Sequence, residues 1–221
     1  KYFLECHLFD ILNGTNTHIW NPKEKEDDTN WSSNREEGIL YMCSWTQEVK
    51  HWIWRLKKKL KNEFYEFQFI DVGCGKGKPL IIYSGIVNKD HHKLTNNPIG
   101  IDYSNKNIII ANTNLCKFQD KFKKDVIPKF INDDALNIQQ YINSKKLILY
   151  LYNPFKGKVL KQFIKLINIY DCIIIYTNPT NISVFVEANW SILEMKKSVY
   201  PNKTTAILSN IKRHRYIKIK P

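Results

Sequence analysis

Phe69-Ile70-Asp71-Val72-Gly73-Cys74-Gly75-Lys76-Gly77-Lys78 decides how this chain is read. A short apolar run delivers the backbone to a turn with three alternating glycines, and helix-forming sequence starts directly after it. Alternating glycines let the backbone take positive φ and approach a ligand with no Cβ in the way. Strand, glycine turn and helix in that order place a ligand at the carboxyl end of the first strand of a doubly wound sheet.

Spacing separates the ligand classes that use such turns. A phosphate-binding G-x-x-x-x-G-K-[ST] loop fails, because Val72 stands at its first glycine and Pro79 follows Lys78. A dinucleotide G-x-G-x-x-G fingerprint fails at Lys78, where its third glycine belongs. D-x-G-x-G-x-G remains. Asp71 would repel a pyrophosphate and suits a ligand with a cationic end, the more so in a partly dry site.

Outward from the turn, strands and helices alternate. Strands are predicted at 67–72, 98–102, 126–132, 147–152 and 172–177. Helices are predicted at 76–87, 105–118, 135–142 and 159–169, with Pro79 tolerated in a first turn. Residues 183–219 read as a helix and a closing hairpin around Tyr200-Pro201-Asn202-Lys203. The pattern implies an α/β fold, a mainly parallel sheet with helices on both faces. Upstream, residues 21–38 are polar and charged and read as an exposed loop. Over 45–60, Trp45, Val49, Trp52, Ile53, Leu56 and Leu60 recur at helical spacing, which suits core packing better than ligand stacking. Residues 1–62 are therefore expected to form an N-terminal cap or lid with a basic helix, and 63–221 the core domain.

Composition bounds the rest. The chain has 221 residues, 43% hydrophobic and 25% charged, as in one globular domain. No apolar run approaches the roughly 20 residues that cross a bilayer, so no membrane partner is expected. Cys6, Cys43, Cys74, Cys116 and Cys172 are scattered, which speaks against a zinc cluster or a disulfide framework. A reducing, cytoplasmic setting fits them best, and no metal is expected. Triplets such as Asn13-Gly14-Thr15 and Asn30-Trp31-Ser32 read as chance in so Asn-rich a chain. The chain begins at Lys1, which is compatible with an earlier targeting segment having been removed. The formal net charge is +13, concentrated in Arg55, Lys57, Lys58, Lys59 and Lys61 and in residues 196–221. Such a field favours polyanions or acidic proteins, nucleic acid among them; a lysine-rich soluble surface explains it equally well. His91 and His92 read as solvated, and nothing singles out His18.

The motif series resembles the class I S-adenosylmethionine-dependent methyltransferases. Asp71 to Gly77 looks like their motif I. Gly100-Ile101-Asp102-Tyr103-Ser104 ends the second strand with an acid, and Asn132-Asp133-Asp134-Ala135 ends the third. Asn153-Pro154-Phe155 ends the fourth, where the family holds its methyl acceptor. More narrowly, the chain resembles a group with F-[IV]-D-x-G-x-G-K-G and Y-N-P-F motifs, matched at 69–78 and 152–155, with a second Asn-Pro at Asn178-Pro179. Phe9-Asp10 and 14–17 resemble that group only loosely.

The resemblance implies a single Rossmann-like domain with a seven-stranded sheet and a C-terminal antiparallel hairpin. It implies S-adenosyl-L-methionine as cofactor, near Asp71, Gly73, Cys74, Gly75 and Gly77. Asp102 would grip both ribose hydroxyls, a carboxylate offering two acceptor oxygens to two adjacent donors, with Tyr103 beside it. Asp134, or Asp133 in its place, would accept from the adenine amino group, with Ala135 against the ring. In amino-methylating relatives, [DN]-P-P-[FYW] orients a nitrogen acceptor. Asn153, Pro154 and Phe155 are the corresponding catalytic candidates, one proline short, which sets this chain apart from adenine methylation in nucleic acid. The activity implied is N-methylation of a protein lysine or another macromolecule. A small-molecule acceptor is the alternative, and a module that binds cofactor or nucleic acid without turnover is the alternative of another class.

Overall fold

The computed structural model describes residues 3–19, 33–90, 94–118, 122, 126 and 128–211. Asn30-Trp31-Ser32, most of the expected 21–38 loop, His91, His92 and the basic tail from 212 onward lie outside the described residues.

The sheet starts at β1 (Gln68–Val72), all five residues of which are buried. Parallel strands flank it: β2 (Ile99–Asp102) and β3 (Lys129–Asn132) on one side, β4 (Lys146–Tyr152) and β5 (Asp171–Thr177) on the other. β7 (Thr205–Ser209) joins β5 antiparallel and carries β6 (Ser191–Lys196) at the edge. The order β3-β2-β1-β4-β5-β7-β6 closes a seven-stranded sheet, as the sequence led us to expect. Side chains alternate across it. Phe69, Ile148 and Ile173 face α2 (Thr46–Leu60) and α3 (Lys78–Val87). Ile70, Leu149 and Ile174 face the layer that holds α5 (Gly157–Ile167). α4 (Asn105–Cys116) follows β2, with Ser104 as its N-cap accepting from the Asn107 N–H. Two six-residue helices, α1 (Leu8–Asn13) and α6 (Ile182–Glu187), complete the set used below.

Element boundaries move by one to three residues from the sequence expectations, and the helix expected after β3 is a 3-10 helix, Ala135–Tyr141. The expected apolar face of α2 is buried throughout, Trp52 and Ile53 each being 1% exposed. The Trp52 indole N–H finds the Glu48 carboxylate at 2.7 Å, which lets a tryptophan sit in the core.

Two expectations need correction. The basic face of α2 is partly neutralised within the fold: Arg55 pairs with Glu194 at 2.7 Å and Lys57 with Asp90 at 2.5 Å. The C-terminal end of the supposed exposed loop is structural, since Gly38 is buried and forms a β-bridge with Phe155.

Candidate functional site

Gly73, Gly75 and Gly77 all have positive φ, at +69°, +51° and +83°. This curls the chain so that the Gly73 and Cys74 N–H groups both donate to the Ile101 carbonyl, at 2.9 and 3.0 Å. A Cβ on Gly75 would overlap the Tyr41 ring, and one on Gly77 would overlap the Phe130 ring. The glycines thus serve close packing around the turn as well as its curvature.

Above the turn lies a cleft of about 940 Å³, counting open solvent at its mouth. The ends of β1, β2 and β3 each contribute a carboxylate to its wall: Asp71, Asp102 and Asp134. Asp71 is 2% exposed, and its Oδ2 has no partner among the described residues. Burial pushes its carboxyl well above the usual range; a backbone hydrogen bond from Leu80 opposes this and the charge of Asp102 adds to it. Asp102 accepts from the Gly75 and Ser104 N–H groups at 2.8 and 2.9 Å, one on each oxygen, which fixes the carboxylate plane. Asp134 accepts from the Leu136 N–H at 2.9 Å and from the Asn34 amide at 2.8 Å.

Of the two acids at 133 and 134, Asp134 lines the cleft and Asp133 does not. The Asp133 carboxylate is committed to the Tyr141 hydroxyl at 2.6 Å and the Asn137 amide at 2.7 Å. Gly73, Cys74, Tyr103 and Ala135 line the cleft, while Gly75 and Gly77 shape the turn behind it.

The segment after β4 departs most from expectation. Pro154 and Phe155 line the cleft, and Asn153 does not. Asn153 has φ +45°, and its amide oxygen accepts from the Tyr176 hydroxyl (3.2 Å), the Thr180 hydroxyl (3.0 Å) and the Asn181 amide (3.3 Å). A left-handed backbone turns this side chain toward the loop after β5. The Pro154 carbonyl is also engaged, accepting from the Ile39 N–H at 2.9 Å. Lys156 N–H donates to the Glu37 carbonyl at 3.0 Å, and the Glu37 carboxylate accepts from Val159 N–H at 2.6 Å, at the N-terminus of α5. Residues 37–42 form a strap that is stitched to the loop after β4 and walls the cleft on that side.

The N-terminal segment is tied down through Asp10. Its carboxylate accepts from the Thr15 hydroxyl (2.5 Å), the Thr17 N–H (2.8 Å) and hydroxyl (2.7 Å) and the His18 N–H (2.8 Å), with His18 Nδ1 at 2.5 Å. Burial would raise this carboxyl, and the bonds from Thr15, Thr17 and His18 outweigh it, holding it below its ordinary value. The knot then meets the glycine turn: Tyr41 hydroxyl donates to the Thr17 carbonyl, and Lys76 Nζ to the Ile19 carbonyl at 2.6 Å.

Several wall residues escaped the sequence reading. Asn34, Tyr41, Met42 and Ser44 come from the segment before α2, Asn107 from α4 and Tyr150 from β4. Asn107 Oδ1 is buried without a partner among the described residues, a second unused acceptor in the wall. The apolar run Ile39-Leu40-Tyr41-Met42 after a polar stretch was a usable signal for an extended segment; Asn107 gave none.

No family model matches the sequence, and no curated protein matches it either. Solved structures do. A magnesium protoporphyrin IX methyltransferase from Synechocystis PCC 6803, solved with S-adenosylmethionine bound, superposes with TM-score 0.51 at 14% identity over 94% of this chain and 92% of its own. A ribosomal protein L11 methylase from Lactobacillus delbrueckii subsp. bulgaricus superposes with TM-score 0.50 at 13% identity over 74% of this chain and 77% of its own. At such identities the likeness establishes the fold, which is that of the class I methyltransferases.

Proposed function

We propose that this protein is an S-adenosylmethionine-dependent methyltransferase acting on a nitrogen nucleophile, in first place an amine at the end of a slender chain, such as a protein lysine. One observation carries the reading. Three consecutive parallel strands each deliver a carboxylate to a single cleft, and the buried Asp71 among them keeps an oxygen unused. An unpartnered buried acceptor costs on the order of 1–3 kcal/mol and calls for a donor. The cofactor's ammonium fits that need.

S-adenosylmethionine supplies an electrophilic methyl group on a cationic sulfur. The chain's own residues bind, orient and exclude water. Asp102, fixed by two backbone N–H groups, keeps lone pairs for the ribose hydroxyls. Asp134 and Ala135 serve the adenine edge, Tyr103 and Asn107 flank the nucleoside, and Gly73 and Cys74 hold the amino acid end. Tyr41 closes the turn.

On the acceptor side, Pro154 and Phe155 form the wall with Tyr150, Tyr152 and Met42. Phe155 packs edge-on against Phe163, ring centroids 5.2 Å apart. Asn153 and the Pro154 carbonyl are engaged elsewhere, so a planar base would lack the two acceptors that orient it in amino-methylating relatives. Aromatic faces favour a cationic or aliphatic chain end instead. The same aromatic wall supports a free small-molecule amine as the second reading.

The test is methyl transfer from labelled cofactor into separated protein, nucleic acid and small-molecule fractions of a cell extract. Label at amines of protein is the expected result, and label confined to nucleic acid overturns the acceptor assignment. Calorimetry with S-adenosylhomocysteine separates that outcome from a failure of the cofactor assignment itself, and uptake without any transfer would mark a module without turnover.

A further inference from the structure

Cys43 directly follows the strap and is buried behind the cleft wall, between Met42 and Ser44, which line it. Its sulfur is 2.9 Å from Lys78 Nζ, the first residue of α3. Lys78 is 1% exposed, and its other two donors reach the Cys6 and Ser44 carbonyls, each at 3.3 Å. A buried ammonium facing only neutral carbonyls is expensive, and a thiolate neutralises it. Cys6, 0% exposed, sits on the other side, its sulfur 4.0 Å from the Cys43 carbonyl and 3.8 Å from that of Ser44. Both sulfurs thus face the Ser44 carbonyl, that of Cys43 at 3.6 Å, and the neighbouring Cys6 side chain together with the charge of Lys78 outweighs burial and brings the Cys43 thiol down to about 6. The proposed methyl transfer uses neither cysteine.

We propose that Cys6 and Cys43 form a redox-sensitive thiol pair that hydroperoxides convert to a disulfide, with Lys78 holding the attacking sulfur as a thiolate. The Cys43 thiolate attacks a peroxide oxygen: an S–O bond forms, the O–O bond breaks, and the leaving alkoxide or hydroxide takes a proton. The Cys6 sulfur then attacks Cys43: the S–S bond forms, the S–O bond breaks, and hydroxide leaves with the Cys6 proton as water. Two thiols lose two electrons and the peroxide gains them. Oxidation removes the anion that faces Lys78 one residue after the glycine turn, and it ties the short helical segment Phe3–His7 to the residue that follows the strap. Nucleoside affinity is expected to fall about tenfold, equivalent to about 1.4 kcal/mol.

The test uses the full chain with the exposed Cys116 replaced, Cys116→Ser. After treatment with hydrogen peroxide and blocking of free thiols, peptide mass mapping is expected to show a Cys6–Cys43 linkage that dithiothreitol reverses. A further Cys6→Ser change should keep the melting temperature of the reduced protein and leave a sulfenic acid on Cys43 that dimedone captures. Free Cys6 and Cys43 after peroxide overturn the proposal, and so does a linkage that leaves S-adenosylhomocysteine affinity unchanged in a chain whose reduced form binds that nucleoside. The linkage is read without nucleoside, so a failure of the methyltransferase reading does not disguise a failure here.

Discussion

The backbone N–H of Ile39 donates to the carbonyl oxygen of Pro154 at 2.9 Å, joining the strap to the loop after β4. Glu37 reinforces the join by accepting from Val159 N–H at 2.6 Å. The latter bond holds the Glu37 carboxyl below its ordinary value, so its stabilisation is present above that value and lost as pH falls through the lowered one. Glu37→Ala should lower the melting temperature at neutral pH but not in strong acid. In steady-state kinetics it should raise KM for the methyl acceptor several-fold, with S-adenosylhomocysteine affinity little changed. An affinity loss equal to the KM change would place the strap on the cofactor side.

Asn153 behaves as a structural residue in this geometry. Asn153→Ala removes the acceptor of Tyr176, Thr180 and Asn181 and leaves an alanine at φ +45°. Urea unfolding should show a loss of about 2–3 kcal/mol. Asn153→Gly, which tolerates that φ, should lose less. S-adenosylhomocysteine affinity should stay near that of the parent chain, measured by calorimetry.

Asp102→Ala strips the Gly75 and Ser104 N–H groups of their acceptor and the cleft of its ribose ligand. Nucleoside affinity should fall by on the order of 100-fold or more, the worth of two hydrogen bonds to a charged acceptor. Asp102→Asn should fall between the two. Unchanged affinity in the alanine variant would remove the cofactor assignment.

Asp71 predicts a proton linkage. Burial raises its carboxyl in the free protein, and a cation beside Oδ2 would favour the charged form. Binding therefore releases a proton, and affinity should rise with pH until the raised value is passed. Calorimetry in buffers of different ionisation enthalpy reads the release directly, and Asp71→Asn should abolish it.

The Cys43 thiol, brought down to about 6 in the folded chain, predicts the pH dependence of stability. A depressed acid stabilises fully above its unfolded value and loses that contribution as pH falls through the folded one. The stability gap between the parent chain and Cys43→Ala should therefore widen as pH climbs from about 6 to about 8.5, the ordinary thiol value. A gap that stays constant would mean the sulfur remains a thiol.

The strands and the glycine turn were legible because their signals are local: period, glycine spacing, and the acid that ends each strand. Asp71, Asp102 and Asp134 were singled out that way, with Asp133 as the rival, and the cleft wall holds Asp134 and not Asp133. What stayed hidden depends on partners far along the chain. Arg55 meets Glu194 across 139 positions, and no reading of α2 alone shows its charge being met. Asn153 kept the residue type expected of an acceptor grip, but a left-handed backbone sent its amide toward Tyr176. Cys43 and Lys78, 35 positions apart, carry no spacing signature at all.

Glu5 and Lys203 meet at 3.1 Å although 198 positions separate them, and the Asn16–Asn114 bond spans 98. Contacts of such long range form only once the sheet has brought their partners together, so the segment before α2 is expected to order late in folding. The same region should open first by local unfolding, with the sheet intact. Ligand entry would then require only the N-terminal part to lift, and native-state amide exchange should be fastest there.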